Sequence, residues 1–361
     1  MPNILFATNR QRLLDSAAGL PDFGDETLPA SAGALSCATA TVTDITLAAP
    51  ASGDIVAISP LNQDGFADKD LEPVLRSQND ILVFVHGAAN SFTDAIKRAA
   101  YNKSWMGAAT VPGASSVFDV IAFTWPARPY VLADIIGDYS DYRHDQAQAR
   151  QSAFHFGLFL RELQALQQRI GTRRLHLLCH SMGNYMLGSA VEAWFAANPQ
   201  PGPPLFDEIV LAAADESAST FSAPNGGRLS NLWRLGREIT VYYNNNDVAM
   251  ALSHVVNRDF RLGYDGPPDK ADTRFYSPNV YEFVDCTGVN DLISGVLDSP
   301  DRSHQYYRQS PTVRADIVAT LAGQTPTRLR YDANANAYSL FPAPVIVAAR
   351  GGADAPDHQP V

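Results

Sequence analysis

Residues 175–183 read Leu-His-Leu-Leu-Cys-His-Ser-Met-Gly, an apolar run that ends in Cys179-His180-Ser181-Met182-Gly183. A helix-compatible segment, residues 184–197, follows at once. Small-x-Ser-x-Gly between a strand and a helix is the pattern of a nucleophile elbow, a tight turn that lifts a serine hydroxyl above a sheet. The flanking positions must be small because the turn brings the strand and helix backbones together. The first of them is Cys179 here, where glycine is usual. Serine in such a turn is strained, since a non-glycine residue near positive φ carries a steric cost.

Working outward, the elbow sits among other strand signals. Ile81-Leu-Val-Phe-Val85 is a continuous apolar, largely β-branched run without alternation, as expected of a strand buried on both faces of a parallel sheet. Residues 118–125, stopped by Pro126, read as the next buried strand, 206–213 and 238–243 as further ones, and 280–284 as the final strand expected. Residues 3–8 read as a first short strand and Thr39–Ala48 as an edge strand, with a connection through Pro60, Gly65 and Pro73 after it. Helices are expected over 91–106, with Phe92, Ile96, Ala99 and Ala100 on one face, and over 147–170, closed by Gly171. Strands alternating with helices imply right-handed crossovers and an α/β fold with a mostly parallel central sheet flanked by helices. Residues 1–341 form one expected domain, and 342–361 a weakly ordered C-terminal tail.

Composition narrows the function. A chain of 361 residues with 46% hydrophobic and 18% charged residues can bury a large core. A net charge of −11 argues against nucleic-acid binding and anionic membranes, both of which need a positive field. Three cysteines form no disulfide framework and fit a reducing compartment. The N-terminus lacks a basic segment followed by a long apolar one, and no apolar run reaches the roughly 18–20 residues of a membrane span. A cytoplasmic location is therefore expected.

A serine nucleophile needs a base and an acid, which follow an elbow serine in the order acid, then histidine. Of the eight histidines, His86, His144, His155 and His176 precede Ser181, His180 lies inside the elbow and His358 is in the tail. His254 and His304 remain. His254 falls in a helical stretch, 248–256, where contacts with neighbours are its ordinary role. His304 follows the last expected strand in Asp-Arg-Ser-His-Gln-Tyr-Tyr, where a base would hang over the sheet, and it is the preferred candidate; an exposed loop histidine is the bland alternative. Two carboxylates end apolar runs between Ser181 and His304. Asp247, after Thr-Val-Tyr-Tyr-Asn-Asn-Asn, is preferred as the acid; Asp215, after Val-Leu-Ala-Ala-Ala, is the alternative, or else a helix cap or pocket wall.

The developing oxyanion would be held by the amide of Met182, next to the nucleophile, and by one in the loop His86-Gly87-Ala88-Ala89-Asn90, of which Ala88 is the candidate. No P-loop, dinucleotide fingerprint, His-Glu-x-x-His motif or zinc spacing is present, so neither cofactor nor metal is implied. Cys179 occupies a position that wants a small inward-packed residue and is not expected to act as a nucleophile.

The ordered set Phe-Ala-Thr-Asn-Arg (6–10), Val-Phe-Val-His-Gly (83–87) with Asn90 and Phe92, Thr-Trp-Pro (124–126), His-Ser-Met-Gly-Asn (180–184), Asn-Asn-Asp (245–247), Arg-Leu-Gly (261–263) and Ser-His-Gln-Tyr-Tyr (303–307) resembles the α/β-hydrolases. Within them it resembles a bacterial branch known as a hydrolase-like domain of unknown function. The resemblance spans roughly residues 3–310, and Thr-Trp-Pro and Asn-Asn-Asp are its more discriminating parts. It implies an α/β-hydrolase fold and nucleophile, acid and base at Ser181, Asp247 and His304. The chain departs from that pattern at Ala88-Ala89, where the family usually carries one bulky residue between glycine and asparagine.

These observations lead to a serine hydrolase acting on small carboxylic esters. Acyl transfer or amide cleavage with the same three residues is the second reading, because fold and site do not choose the acceptor. A non-catalytic hydrolase-like binding module is the third. Segments 127–147 and 216–236 leave strand ends beside the elbow and are expected to form a small cap, with His86, Tyr130, Leu132, Phe221 and Trp233 lining a substrate pocket. Packing of amphipathic loops on the surface is the plain alternative for both segments.

Overall fold

The computed structural model describes all residues except 44, 46–52, 110–116, 131–138, 201, 223–226, 293–300, 325–329 and 343–361. The tail expected from residue 342 thus lies, but for its first residue, outside the described residues, as does Leu132.

In chain order the strands are β1 (Asn3–Thr8), β2 (Arg10–Arg12), β3 (Phe23–Thr27), β4 (Ser36–Val42), β5 (Ile55–Ile58), β6 (Ile81–Val85), β7 (Asp119–Thr124), β8 (Leu175–His180), β9 (Phe206–Ala212), β10 (Gly236–Tyr243), β11 (Tyr281–Asp285), β12 (Arg330–Asp332) and β13 (Ala337–Ser339). The helices that frame them are α1 (Asp68–Arg76), α2 (Phe92–Ala108), α3 (Ser140–Gln151), α4 (Ala153–Gln167), α5 (Gly183–Ala197), α6 (Val248–Asn257), α7 (Leu262–Asp265), α8 (Asp301–His304), α9 (Tyr306–Gln309) and α10 (Pro311–Leu321).

Eleven of the described strands join in one sheet, ordered β12-β13-β11-β10-β9-β8-β6-β7-β1-β4-β5. From β11 across to β1 every neighbouring pair is parallel, while β4, β5 and β12 are antiparallel to their neighbours. The unbroken apolar run of β6 has a simple cause. Ile81, Val83 and Val85 enter one core and Leu82 and Phe84 the other, so both faces of the strand are covered. Helices α3, α4 and α5 close the first core, and α2 and α10 the second. Helix α2 starts with a reciprocal capping box, Ser91 with Asp94, immediately after the loop that follows β6.

Three expectations change. The single helix over 147–170 is two helices that meet at Ser152. The Ser152 hydroxyl donates to the Gln148 carbonyl (2.8 Å) and accepts from the Asn9 amide (2.9 Å), bonds that compete with the helical ladder. The strand expected at the edge, over 39–48, is β4, which lies inside the sheet; the edge is β5, too short and too exposed to announce itself. The strand at 280–284 is not the last, because β12 and β13, of three residues each, extend the sheet beyond β11.

Candidate active site

At the C-terminal end of β8 the chain passes from His180 into Ser181, whose φ is +52°, and into helix α5 two residues later. That conformation costs a serine on the order of 1–3 kcal/mol, and the surroundings must hold it. They do so with backbone bonds. The Ser181 N–H donates to Ala212 O (3.0 Å), and the Ser181 carbonyl accepts the amides of Asn184 (3.0 Å) and Asp215 (3.1 Å). The turn is also crowded. A Cβ on Gly183 would lie 2.6 Å from the His86 carbonyl, and one on Gly87 would lie 2.6 Å from the Ser181 Cβ. Only glycine fits either place. Cys179 is buried in the core on the side of α5, in keeping with a packing role.

The structure brings Ser181, His304 and Asp247 together, each almost fully buried. The Ser181 hydroxyl donates to His304 Nε2 at 2.8 Å, and His304 Nδ1–H donates to Asp247 Oδ2 at 2.7 Å. Asp247 has a second task. Its Oδ1 accepts the amides of Ala249 (3.0 Å) and Met250 (3.2 Å), so it is the N-cap of α6 and its free oxygen is aimed by that cap. His304 ends the short helix α8, which the Val248 N–H ties to α6 through the Ser303 hydroxyl (3.1 Å). His180 supports the base from behind: its Nε2–H donates to the His304 carbonyl at 3.2 Å, and its ring lies 4.7 Å from the His304 ring. Burial, with the His304 charge next in importance, holds the His180 pKa well below the usual histidine value, so His180 is a neutral donor.

Asp215, the other candidate acid, also reaches the site but faces away from His304. It accepts the Tyr142 hydroxyl (2.9 Å) and the Ser253 hydroxyl, and the Arg261 guanidinium lies 3.7 Å off. Asn257 closes this network by donating to Tyr142 (2.8 Å) and Ser253 (3.1 Å). His254, the other candidate base, stacks on Phe260 instead (4.5 Å between ring centres).

The loop after β6, residues 86–90, is held by groups to which the sequence assigned no such role. Ala89 has φ +58°, and its N–H donates to Asp145 Oδ2 at 3.0 Å. The Asn90 amide donates to the Gly87 and Ala88 carbonyls, and the buried Arg10 guanidinium donates to the Asn90 and Ala127 carbonyls. The Ala89 amide is thus committed elsewhere, while among the described residues no hydrogen bond takes up the amides of Ala88 and Met182. Asp145 also accepts the Arg128 N–H (2.8 Å), and burial raises its pKa to about 7 against the lowering effect of these amides and of Arg10. Arg10 and Asn9 lie in the motif at 6–10, whose inward role was hidden because a charged residue is ordinarily expected outside.

A narrow, partly open cavity of about 20 Å³ adjoins Ser181 and His304. Ala88, Tyr130 and Tyr142 form one wall, and Ala249, Met250, Leu252, Ser253 and Val256 of α6 the other. This changes the expected pocket. Tyr130 lines it, but His86, Phe221 and Trp233 do not. His86 is structural: its Nδ1–H donates to the Gly87 carbonyl (2.7 Å), its Nε2 accepts the Trp125 N–H (3.2 Å), and its ring stacks on Trp125. Phe221 packs into the core against Tyr276 and Tyr281. Trp233 is 52% exposed, far more than a pocket wall allows. Segment 216–236 contributes nothing to the described walls, and α6, which no sequence signal marked as a lid, takes its place. A wider, open hollow of about 320 Å³ beside Glu238 and Glu282 lies at the starts of β10 and β11, the opposite end of the sheet from Ser181.

Among the described residues no group of three or more His, Cys, Asp or Glu side chains could hold a metal ion, and no helix is long and apolar enough to cross a membrane.

A parallel sheet covered by helices on both faces, with a positive-φ serine at a strand-to-helix turn and a histidine–carboxylate pair beside it, defines an α/β-hydrolase. The chain belongs to the family described as Alpha/beta hydrolase of unknown function (DUF900), whose model matches residues 62–323. Solved structures similar to it include the lin2722 product of Listeria innocua, 9% identical, covering 73% of this chain and 99% of that one at a TM-score of 0.33. The phospholipase PlaB of Legionella pneumophila is 14% identical over 62% of this chain and 42% of its own, at a TM-score of 0.29. An acylaminoacyl peptidase of Pyrococcus horikoshii is 9% identical over 80% of this chain and 47% of its own, at a TM-score of 0.32. The chain thus spans less than half the length of that phospholipase and that peptidase. No curated protein matches the sequence.

Proposed function

We propose that the protein is a serine hydrolase that cleaves small carboxylic esters through an acyl-enzyme intermediate. The observation that carries this reading is the continuous chain Ser181 Oγ–His304 Nε2 (2.8 Å) and His304 Nδ1–Asp247 Oδ2 (2.7 Å), set on a strained elbow. Ser181 Oγ attacks the ester carbonyl carbon as His304 Nε2 takes its proton. Asp247 accepts the Nδ1–H, which fixes the tautomer and stabilises the imidazolium. The carbonyl oxygen gains charge and is received by the amides of Met182 and Ala88. His304 then protonates the departing alkoxide, and afterwards deprotonates the water that releases the acid and restores Ser181.

Labelling with a fluorophosphonate and hydrolysis of a short p-nitrophenyl ester test the reading together. In Ser181→Ala, labelling is expected to vanish and turnover to fall by a factor of about 10⁶, with the fold intact by circular dichroism. Undiminished turnover in that variant would sink the assignment.

A further inference from the structure

The polar groups around the cavity beside Ser181 fall into two sets. Tyr142, Ser253, Asp215 and Asn257 satisfy one another through the bonds described above. The Tyr130 hydroxyl does not join them. It is sealed from solvent and has no hydrogen-bond partner among the described residues, although Tyr130 lines the cavity together with Ser181 and His304. A buried hydroxyl left unpaired is destabilising, so its retention in the cavity that Ser181 lines calls for a reason. Phenylalanine would fill the same space without that penalty.

We propose that the Tyr130 hydroxyl is a specificity-determining contact that hydrogen-bonds an oxygen on the substrate. The substrate class is then a short ester bearing a hydroxyl or ether oxygen a few atoms from its scissile carbonyl. This deepens, and rests on, the assignment of Ser181 as an esterase nucleophile. The small volume limits the chain that enters, and the walls from Ala249, Met250 and Val256 are apolar. The substrate's polar atom therefore meets one free partner, and a plain alkyl ester of the same length leaves that partner unsatisfied. Burial, and behind it the charges of Asp145, Tyr142 and Asp215, raises the phenol's pKa far above its usual value, so the group stays protonated and able to donate.

The test compares p-nitrophenyl 3-hydroxybutyrate with p-nitrophenyl butyrate, and 2-hydroxyethyl butyrate with propyl butyrate, so that an oxygen on either side of the ester is sampled. The wild type is expected to favour the oxygenated member of at least one pair by about tenfold in kcat/KM, and Tyr130→Phe to bring that ratio to about one. Its Tm is expected to stay within about 2 °C of the wild type or to rise, because no bond is lost in the free protein. The same pairs titrated calorimetrically against Ser181→Ala, with and without Tyr130→Phe, read the contact without any turnover. Failure of the wild type to hydrolyse any of the esters, with the binding preference intact, would remove the esterase reading and leave the Tyr130 contact standing. An unchanged ratio in Tyr130→Phe, the absence of any preference in turnover or binding, or a clear drop in Tm with selectivity unaltered would overturn the inference.

Discussion

Asp215 and Asp247 stand just past the ends of neighbouring parallel strands, β9 and β10, and both are buried beside the same serine. Their surroundings differ completely. Asp247 gives one oxygen to the N-terminus of α6 and keeps the other for His304. Asp215 has its oxygens taken by Tyr142 and Ser253, with Arg261 near, and its own amide pins the Ser181 carbonyl. A strand end makes a carboxylate available at the top of the sheet. What it does there is decided by the element that folds over it: α8 brings an imidazole to Asp247, whereas α3 and α6 bring hydroxyls to Asp215.

The most forceful way to break this comparison is to neutralise each carboxylate in turn. Asp247→Asn is expected to lower kcat on a p-nitrophenyl ester by a factor of about 10⁴, because the amide offers its oxygen to α6 and an N–H to His304, favouring the wrong tautomer. Asp215→Asn is expected to stay within about tenfold of the wild type, a difference set by packing of the cavity wall. A larger loss in Asp215→Asn than in Asp247→Asn would reverse the roles given to the two.

A third carboxylate, Asp145, sharpens the contrast because burial governs it most. Its pKa in the folded protein is raised to about 7, above the roughly 3.9 of an unfolded aspartate. Its contribution to stability is therefore fully present below about pH 4 and is lost as the pH climbs through about 7, an order of 4 kcal/mol in all. Urea unfolding of the wild type and Asp145→Asn between pH 4 and 8 measures this. The variant's stability is expected to fall less over that range, and parallel curves would show that the carboxylate does not titrate there. The smallest effect belongs to Trp233→Ala. Half exposed and away from the cavity walls, Trp233 is expected to change stability by no more than about 0.5 kcal/mol and kcat/KM on the same p-nitrophenyl ester not at all.

Much of this was legible because it is local. The runs at 81–85 and 209–213 are apolar throughout, and only a strand covered on both faces tolerates that. Cys179, Ser181 and Gly183 stand at alternate positions within five residues, so the elbow is written in one short stretch. The helix break at Ser152 was not legible, since it depends on Asn9, more than a hundred residues away. Phe221 and Trp233 looked like pocket residues by composition alone. One is core and the other surface, and hydrophobicity does not tell a wall from either.

The sequence by itself determined the parallel middle of the sheet, the strand-to-helix place of Ser181 and the order in which Asp247 and His304 follow it. Periodicity, small residues at the turn and chain order are properties of neighbours along the chain. The tertiary structure alone decided which carboxylate faces His304, that α6 and not segment 216–236 walls the cavity, and that Arg10 and Asp145 hold the loop after β6. Those are contacts between distant residues, and their partners are chosen by packing.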